Sequence, residues 1–549
     1  RLARTVCAST TSAANQALYG KMPSVTYEDY AHARLIVVWG ANPSASAIHL
    51  VPHIRDAQRN GARLVVVDPR NTQLARLSDL HLSVRPGTDV VVALALHRYL
   101  FEGGLADTTF LNEHTTGVER LRERAAPWTL QQAAEVAGVP ANDLRRFAAL
   151  YAESSPALIR CGWGLERNRN GGNAAMAILA LPAVAGKFGV RGGGYSMSNS
   201  GSWGLTKTWI GADEPPTRII NMNHLGRVLT DSPQPPVNVL FVYNCNPLAT
   251  MPDQNRVRRG LSRDDLTTVV FDQVMTDSAL YADVVLPATT FLEGYDLARA
   301  YGPISLQMTQ PAIAAVGEAR PNVEVFAALE QRLGLAQDGD PVDDIEMMLK
   351  ILNDLPEPIG EALKQQGRPV PPCGFAPVQF VDVFPRTPDG RVNLFPEDLD
   401  REAPLGLYAY QDDPATDQYP LALISPSSEK TISSTLGELS DQPAELAIHP
   451  DDARHRHIEG GDRIRMFNAL GEVRCLVNVS PIVRPGTVSL AKGLWCRSTE
   501  NGSTANALSP DTLSDIGAGA CFNDARVQVE KVEDDGTGRS DARPTVGPH

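Results

Sequence analysis

The chain has 549 residues, 43% of them hydrophobic and 21% charged, with a formal net charge of −14. That length exceeds one hydrophobic core and points to three or four domains, while the acidic balance argues against a broad nucleic-acid surface and leaves room only for a local basic pocket. No run of about 18 uncharged apolar residues is present, which argues against membrane insertion, and the seven cysteines, odd in number and never spaced C-x-x-C, argue against a disulfide framework or a structural zinc site.

In chain order, the sequence enters structured-looking residues at once from Arg1. A preceding segment is therefore expected, and the location, cytoplasmic or periplasmic, stays open. Leu35-Ile-Val-Val-Trp-Gly-Ala-Asn-Pro43 is a continuous apolar run ending in turn residues, the pattern of a buried parallel strand and its loop. A helix near Val51–Asn60 follows, ended by Gly61 as a C-cap. Leu64-Val-Val-Val-Asp-Pro-Arg70 is a second buried strand, so the stretch reads as a βαβ unit. Thr129 and Gln132 form a capping box, and Asp143–Ala152 continues with helical periodicity. Ala174–Ala185 reads as a buried core helix, and the Gly- and Ser-rich stretch Gly186–Gly204 as a loop.

The unit then recurs. Val239-Leu-Phe-Val-Tyr-Asn-Cys-Asn-Pro247 and Thr268-Val-Val-Phe-Asp272 repeat the two strands, with Asn42 and Asn246, Pro43 and Pro247, and Asp68 and Asp272 each 204 residues apart. Thr72 and Thr276, Asp79 and Asp283, and Leu82 and Leu286 keep the same register. Residues 337–415 read as irregular connections around one short helix, and short strands from about Leu421 read as a Greek-key-like barrel or sandwich. The fold class is therefore α/β, two duplicated Rossmann-like nucleotide-binding halves followed by a C-terminal β-barrel. The polar tail beyond Lys531 is expected to be disordered.

In open parallel sheets, ligands sit at the carboxyl ends of the strands, where Asn42, Asn246, Asp68 and Asp272 fall. An acid there can accept from a ribose hydroxyl or a guanine N–H edge, and Asn side chains with free backbone N–H groups suit phosphates. An isolated strand-end Asp is as often a cap, but recurrence in register favours binding. No G-x-G-x-x-G follows either first strand, which disfavours ordinary NAD binding.

Trp39-Gly-Ala-Asn-Pro43, Val67-Asp-Pro-Arg70, Arg85-Pro-Gly-Thr-Asp89, Ala282-Asp-Val-Val-Leu-Pro287, Ile448-His-Pro-Asp-Asp-Ala453 and Gly460-Gly-Asp-Arg463, in this order, resemble the molybdopterin oxidoreductases of the dimethyl sulfoxide reductase family. The resemblance spans roughly residues 1–530 and implies an N-terminally truncated member. It implies molybdenum, or tungsten, held by two molybdopterin guanine dinucleotides. Residues 1–32 would be the remnant of an N-terminal segment with the metal ligand, 33–205 and 206–415 the two dinucleotide-binding halves, 420–531 the pterin-dinucleotide-binding barrel and 532–549 the tail.

By the same resemblance, Gly40, Asn42, Asp68 and Arg70, with Gly87 and Asp89, would hold one dinucleotide, and Asn244, Asn246, Asp272 and Asp283 the other. Gly162-Trp-Gly-Leu-Glu-Arg-Asn168 looks like the loop beside the pterins, bringing in Trp163, Gly164 and, as a donor to phosphate or pterin, Arg167. Ser425, Ser427, Asn506 and Asn523 match barrel positions that contact pterin or phosphate. Arg4-Thr-Val-Cys-Ala-Ser9 resembles the segment that supplies the protein ligand, which makes Cys7 the metal ligand; a soft thiolate suits a high-valent metal bound by dithiolene sulfurs. Arg160, His49 and Trp203 are candidates for the substrate pocket, Arg160 as a catalytic group.

The implied activity is two-electron redox on a small inorganic or sulfur- or nitrogen-oxo substrate. An iron–sulfur cluster in a preceding segment and an iron–sulfur electron-transfer subunit are the implied partners. Two alternatives stand beside this reading. Ala8 directly after Cys7 counts against a formate-dehydrogenase-like enzyme, whose usual residue there is His. Cys7 and both nucleotide halves count against a metal-free structural homologue in a respiratory complex.

Overall fold

The computed structural model describes residues 2–3, 5–205, 217–231 and 234–532. The expected disorder of the tail beyond residue 532, and Arg4 of the N-terminal motif, lie outside the described residues.

Helix α1 (Ser9–Tyr19) leads to the first half. Strands β1 (Leu35–Trp39), β2 (Arg63–Val67), β3 (Leu80–Leu82), β4 (Ala157–Cys161) and β5 (Gly194–Ser196) form one parallel sheet in the order β3-β2-β1-β4-β5. Both faces are covered, which is why β1 is apolar at every position. Leu35, Val37 and Trp39 face a core shared with α1, α3 (Asp89–Glu102) and α6 (Gly171–Val184). Ile36 and Val38 face α2 (Val51–Arg59). Each such aliphatic side chain is worth about 1.5–3 kcal/mol when fully buried. Helix α6 is apolar all round and buried along its whole length, as a helix between two packed layers must be. Thr129 opens α4 (Leu130–Ala137) with both bonds of the capping box, and α5 (Ala141–Glu153) precedes β4.

The duplication is geometric as well as sequential. Strands β6 (Val239–Tyr243), β7 (Thr267–Asp272) and β8 (Val284–Pro287) form a parallel sheet ordered β8-β7-β6, with α7 (Gln254–Leu261) between the first two. Gly40 after β1 and Asn244 after β6 both have a left-handed backbone, φ +60° and +50°. Their N–H groups donate to Val67 and Phe271, at 2.9 and 3.1 Å. Thr72 and Thr276 each accept a bond from the N–H three residues on, at 3.2 and 3.1 Å.

The halves are nonetheless unequal. The first sheet continues past β1 through β4 and β5, whereas β6 is an edge strand among the described residues. Val239, Phe241 and Tyr243 of β6 are exposed, with Phe326 of α8 (Asn322–Leu333) packed against the last two. Two sequence expectations are corrected. The Gly186–Gly204 stretch contains β5, because its glycines allow the positive φ of a tight entry to a buried edge strand. Residues 337–415 hold three helices, α9 (Asp344–Asp354), α10 (Glu357–Lys364) and α11 (Glu397–Glu402), whose starts are marked by Asp343, Pro356 and Pro396.

Strands β9 (Leu421–Ile424), β10 (Glu445–Ile448), β11 (Arg463–Asn468), β12 (Gly471–Val479), β13 (Thr487–Ser489) and β14 (Arg526–Lys531) close a barrel in the order β9-β13-β10-β12-β11-β14. The barrel touches both halves. Arg484 donates to the carbonyls of Ser83, Ala137 and Gly138 at 2.8–3.1 Å. On the other side, Asn506 donates to Ala249 at 2.8 Å and Arg258 to Gly502 at 2.8 Å. No helix among the described residues is long and apolar enough to cross a membrane.

Candidate active site

Where the carboxyl ends of β1, β2 and β4 meet the barrel, a cavity of about 1170 Å³ opens. That exceeds the ~300–1,000 Å³ of ordinary small-ligand pockets and suits an extended ligand. Among the described residues, its wall carries five Lys or Arg (Lys21, Arg70, Arg160, Arg167, Lys492) against three carboxylates (Asp68, Asp89, Glu429). A cationic interior inside a chain of net charge −14 is the local basic pocket that composition left room for.

The first-half candidates converge on this cavity. Gly40, Asn42, Asp68, Arg70, Gly87 and Asp89 all line it. The turn after β1 needs glycine at 40: besides its positive φ, a Cβ there would lie 2.9 Å from the Leu165 backbone nitrogen. Asn42 keeps its Oδ1 buried without a hydrogen-bond partner, an acceptor left for a ligand donor. Asp68 is nearly buried; its Oδ1 accepts from the Arg70 N–H at 2.9 Å and lies 3.4 Å from the Arg70 Nε. Asp89 turns inward, its Oδ1 accepting from the Trp39 indole at 2.8 Å. Burial pushes the Asp89 carboxyl up to about 6, against the pull of that bond.

The loop 162–168 crosses the floor. An added Cβ at Gly164 would come within 2.7 Å of the Gly40 carbonyl, so loop and turn fit only without side chains. At the end of the loop two adjacent charges grip the N-terminal segment. Arg167 Nη1 donates to the carbonyls of Val6 and Cys7 at 2.8 and 2.7 Å. Glu166, almost fully buried, accepts from the Thr11 N–H at 2.6 Å in the first turn of α1. That geometry places Cys7, exposed and lining the cavity, between two anchored points. Arg167 therefore spends Nη1 on the Val6 and Cys7 backbone and, lining the cavity, keeps its remaining N–H groups for the expected role as a donor to phosphate or pterin.

From the barrel, Ser425, Ser427, Asn506 and Asn523 all line the cavity. Ser425 Oγ is buried without a partner. Asn523 ties barrel to loop, its N–H donating to the Arg167 carbonyl at 2.7 Å and its Oδ1 accepting from the Ser425 N–H at 3.3 Å. Lys492 adds a cation beside Arg167 and Cys7; burial, then Arg167, draws its ammonium below the usual lysine range.

The second-half candidates do not join this wall. Asn246 is buried, and its Oδ1 accepts from the Ser278 N–H at 3.2 Å and hydroxyl at 2.8 Å. Asn42 has no such partner, because Leu74 stands in the place of Ser278. Asn244 and Asp272 sit at the carboxyl ends of β6 and β7, outside the cavity lining. Burial is the largest cause raising the Asp272 carboxyl, opposed by bonds from the Gln273 and Val274 N–H groups. Asp283 is corrected outright. Its carboxylate accepts from the Thr268 N–H at 2.7 Å, at the amino end of β7, the wrong end for a ligand. Asp79 makes the same bond to Leu64 at 2.9 Å, so the recurrence of these two acids is a strand-start device.

Of the pocket candidates, His49 and Arg160 line the cavity and Trp203 does not. Trp203 is buried in a separate core with Ile304, Leu306 and Met348, which corrects its place in the substrate pocket. Arg160 is buried on β4, with Trp163 of the loop 5.4 Å from its guanidinium carbon. Glu166, Lys492 and Cys245 are cavity or clamp residues that sequence reasoning missed. Glu166 was inside a quoted motif, but nothing local in sequence says that α1, 155 residues upstream, docks on it. No group of three or more His, Cys, Asp or Glu among the described residues gathers as a metal site of protein ligands alone.

Residues 3–332 match the family described as Molybdopterin oxidoreductase, and residues 425–526 the one described as Molydopterin dinucleotide binding domain. The chain is 33% identical over 545 residues to "Probable oxidoreductase YoaE" of Bacillus subtilis (strain 168), covering 97% of this chain and 80% of that protein. It is 27% identical to "Dimethyl sulfoxide reductase DmsA" of Escherichia coli (strain K12), over 93% of this chain and 73% of the relative. Among solved structures, the acetylene hydratase from Pelobacter acetylenicus shares the fold with a TM-score of 0.79 at 21% identity, covering 96% of this chain and 81% of that one.

Proposed function

The chain belongs to the molybdopterin oxidoreductase family, and on that footing we propose that it is a catalytic subunit that performs molybdenum-dependent two-electron redox on a small inorganic or sulfur- or nitrogen-oxo substrate. The observation that carries the proposal is Cys7: a solvent-reachable thiol on a cationic cavity, its own carbonyl fixed by Arg167 and the following helix by Glu166. A lone structural cysteine needs neither exposure nor two charged anchors.

The residues fit a molybdenum, or tungsten, bis(molybdopterin guanine dinucleotide). Asn42 Oδ1 and Ser425 Oγ are buried acceptors awaiting partners, and the cavity cations suit phosphates. Gly40, Asn42, Asp68, Arg70, Gly87 and Asp89 would hold one arm from the half spanning 33–205. Asn244, Asn246 and Asp272 would meet the other from the half spanning 206–415, with the barrel at 420–531 lying over both through Ser425, Ser427, Asn506 and Asn523. Trp163 and Gly164 would face the pterins, and Cys7 would be the ligand to the metal. When bound, the group supplies the two-electron couple and the protein supplies orientation and field. Within the chain, Arg167 sets the direction of the Cys7 segment, while Arg160 and His49, which line the cavity, would meet the substrate.

An electron-transfer partner carrying iron–sulfur clusters completes the proposal, because reducing equivalents must reach a buried centre. The name of the relative DmsA supports an oxo-acceptor substrate. Cys7→Ala tests the assignment. Turnover should fall to background while the protein still folds and retains guanine nucleotide, read by acid release of GMP. Unchanged turnover would remove Cys7 as the ligand.

A further inference from the structure

Arg160 stands out among the cavity cations. The residue is only 4% exposed, yet among the described residues no carboxylate pairs with it. Arg70 lies against Asp68 and Arg167 against Glu166; among the described residues Arg160 has only the Ser196 and Met197 carbonyls, both bonded through the single atom Nη1 at 3.3 and 2.8 Å. Its Nε is buried with no partner at all. A buried guanidinium carries five N–H donors and cannot shed its charge, so an unpaired one is costly unless something anionic completes it.

The surroundings are built for such a guest. Trp163 covers the guanidinium at 5.4 Å, and Tyr301 packs edge-on against Trp163 with ring centroids 6.1 Å apart. Tyr30 is fully buried within reach of the Arg160 charge, but burial pushes its phenol up to about 12, so it stays neutral and cannot serve as the counter-charge. Trp163 and Arg167 stand at the two ends of one short loop, so the Arg160 lobe and the Cys7 segment belong to a single cavity.

We propose that Arg160 is the anion receptor of this cavity, and that the site takes a small oxyanion whose oxygens bind the free Nε/Nη2 edge of the guanidinium under Trp163. The inference rests on the redox reading for its meaning, since it narrows the oxo substrate to an anionic one, but its geometry is independent of the metal. A planar fork matches two oxygens of an oxyanion bidentately, and Lys at this position would offer charge without the fork.

The test uses the cofactor-loaded protein and sodium sulfate, a redox-inert oxyanion, titrated against sodium chloride at matched ionic strength. Trp163 emission reports binding, with Trp163→Phe as the silent control. Wild type should show a saturable response. Arg160→Gln should weaken sulfate by about tenfold or more, and Arg160→Lys should fall between them. Metal and guanine-nucleotide content should be the same in all. A wild type that does not respond, or an Arg160→Gln protein that binds sulfate as wild type does, overturns the proposal. Loss of guanine nucleotide from Arg160→Gln also overturns it, by giving Arg160 to a cofactor phosphate. An Arg160-dependent sulfate response in a wild type that never takes up metal sustains the anion site and sinks the redox reading instead.

Discussion

Asp89 carries the plainest conflict between stability and site. Its carboxyl is buried beside the Trp39 indole and raised to about 6, from 3.8. Between those values the folded chain holds a proton that the unfolded chain has lost. The group therefore favours the fold fully below pH 3.8, and that contribution, on the order of 2–3 kcal/mol, is lost as pH rises through 6. Asp89→Asn keeps an acceptor for Trp39 and removes the titration. The variant should gain thermal stability over wild type as pH rises from about 4 to 6 and keep the gain above it; parallel melting profiles would contradict this. At this scale the sequence was readable where chemistry repeats. Asn42 and Asp68 were legible as strand-end residues on the cavity side because Asn246 and Asp272 repeat them. The grip of Glu166 and Arg167 on the Cys7 segment was not, since it joins residues 155 to 161 positions apart.

Elements explain why the resemblance misled at Asp283. It made Asp283 a dinucleotide contact, but Asp283, like Asp79 204 residues before it, starts a strand, each accepting the N–H of a neighbouring strand. A parallel strand needs its first polar groups satisfied as much as its last, and sequence spacing does not say which end an acid serves. Asp283→Ala should cost about 1 kcal/mol in urea unfolding and leave guanine-nucleotide content unchanged; a loss of nucleotide would restore the ligand role. The capping box at Thr129 was legible because cap and partner are three residues apart. Strand β5 was not, because glycines that allow a tight strand entry also spell a loop.

For the whole molecule, the repeat foretold two halves but not their inequality. Among the described residues the first sheet has five strands and the second three, since the residues that extend the first, Ala157–Cys161 and Gly194–Ser196, lie outside the repeated unit. The barrel joins the first half through the Arg70–Val483 backbone bridge and through Arg484, which places three carbonyls of that half on one guanidinium. Arg484→Met should lower the urea midpoint by the equivalent of about 1.5–3 kcal/mol; an unmoved midpoint would show that the barrel docks without it. In the proposed function, the cationic cavity and Cys7 together seat one metal with two dinucleotide arms. Its most direct test is the composition of the protein purified from a host that makes the cofactor. About one molybdenum or tungsten and about two guanine nucleotides per chain are expected, and less than about 0.1 metal per chain would contradict the account.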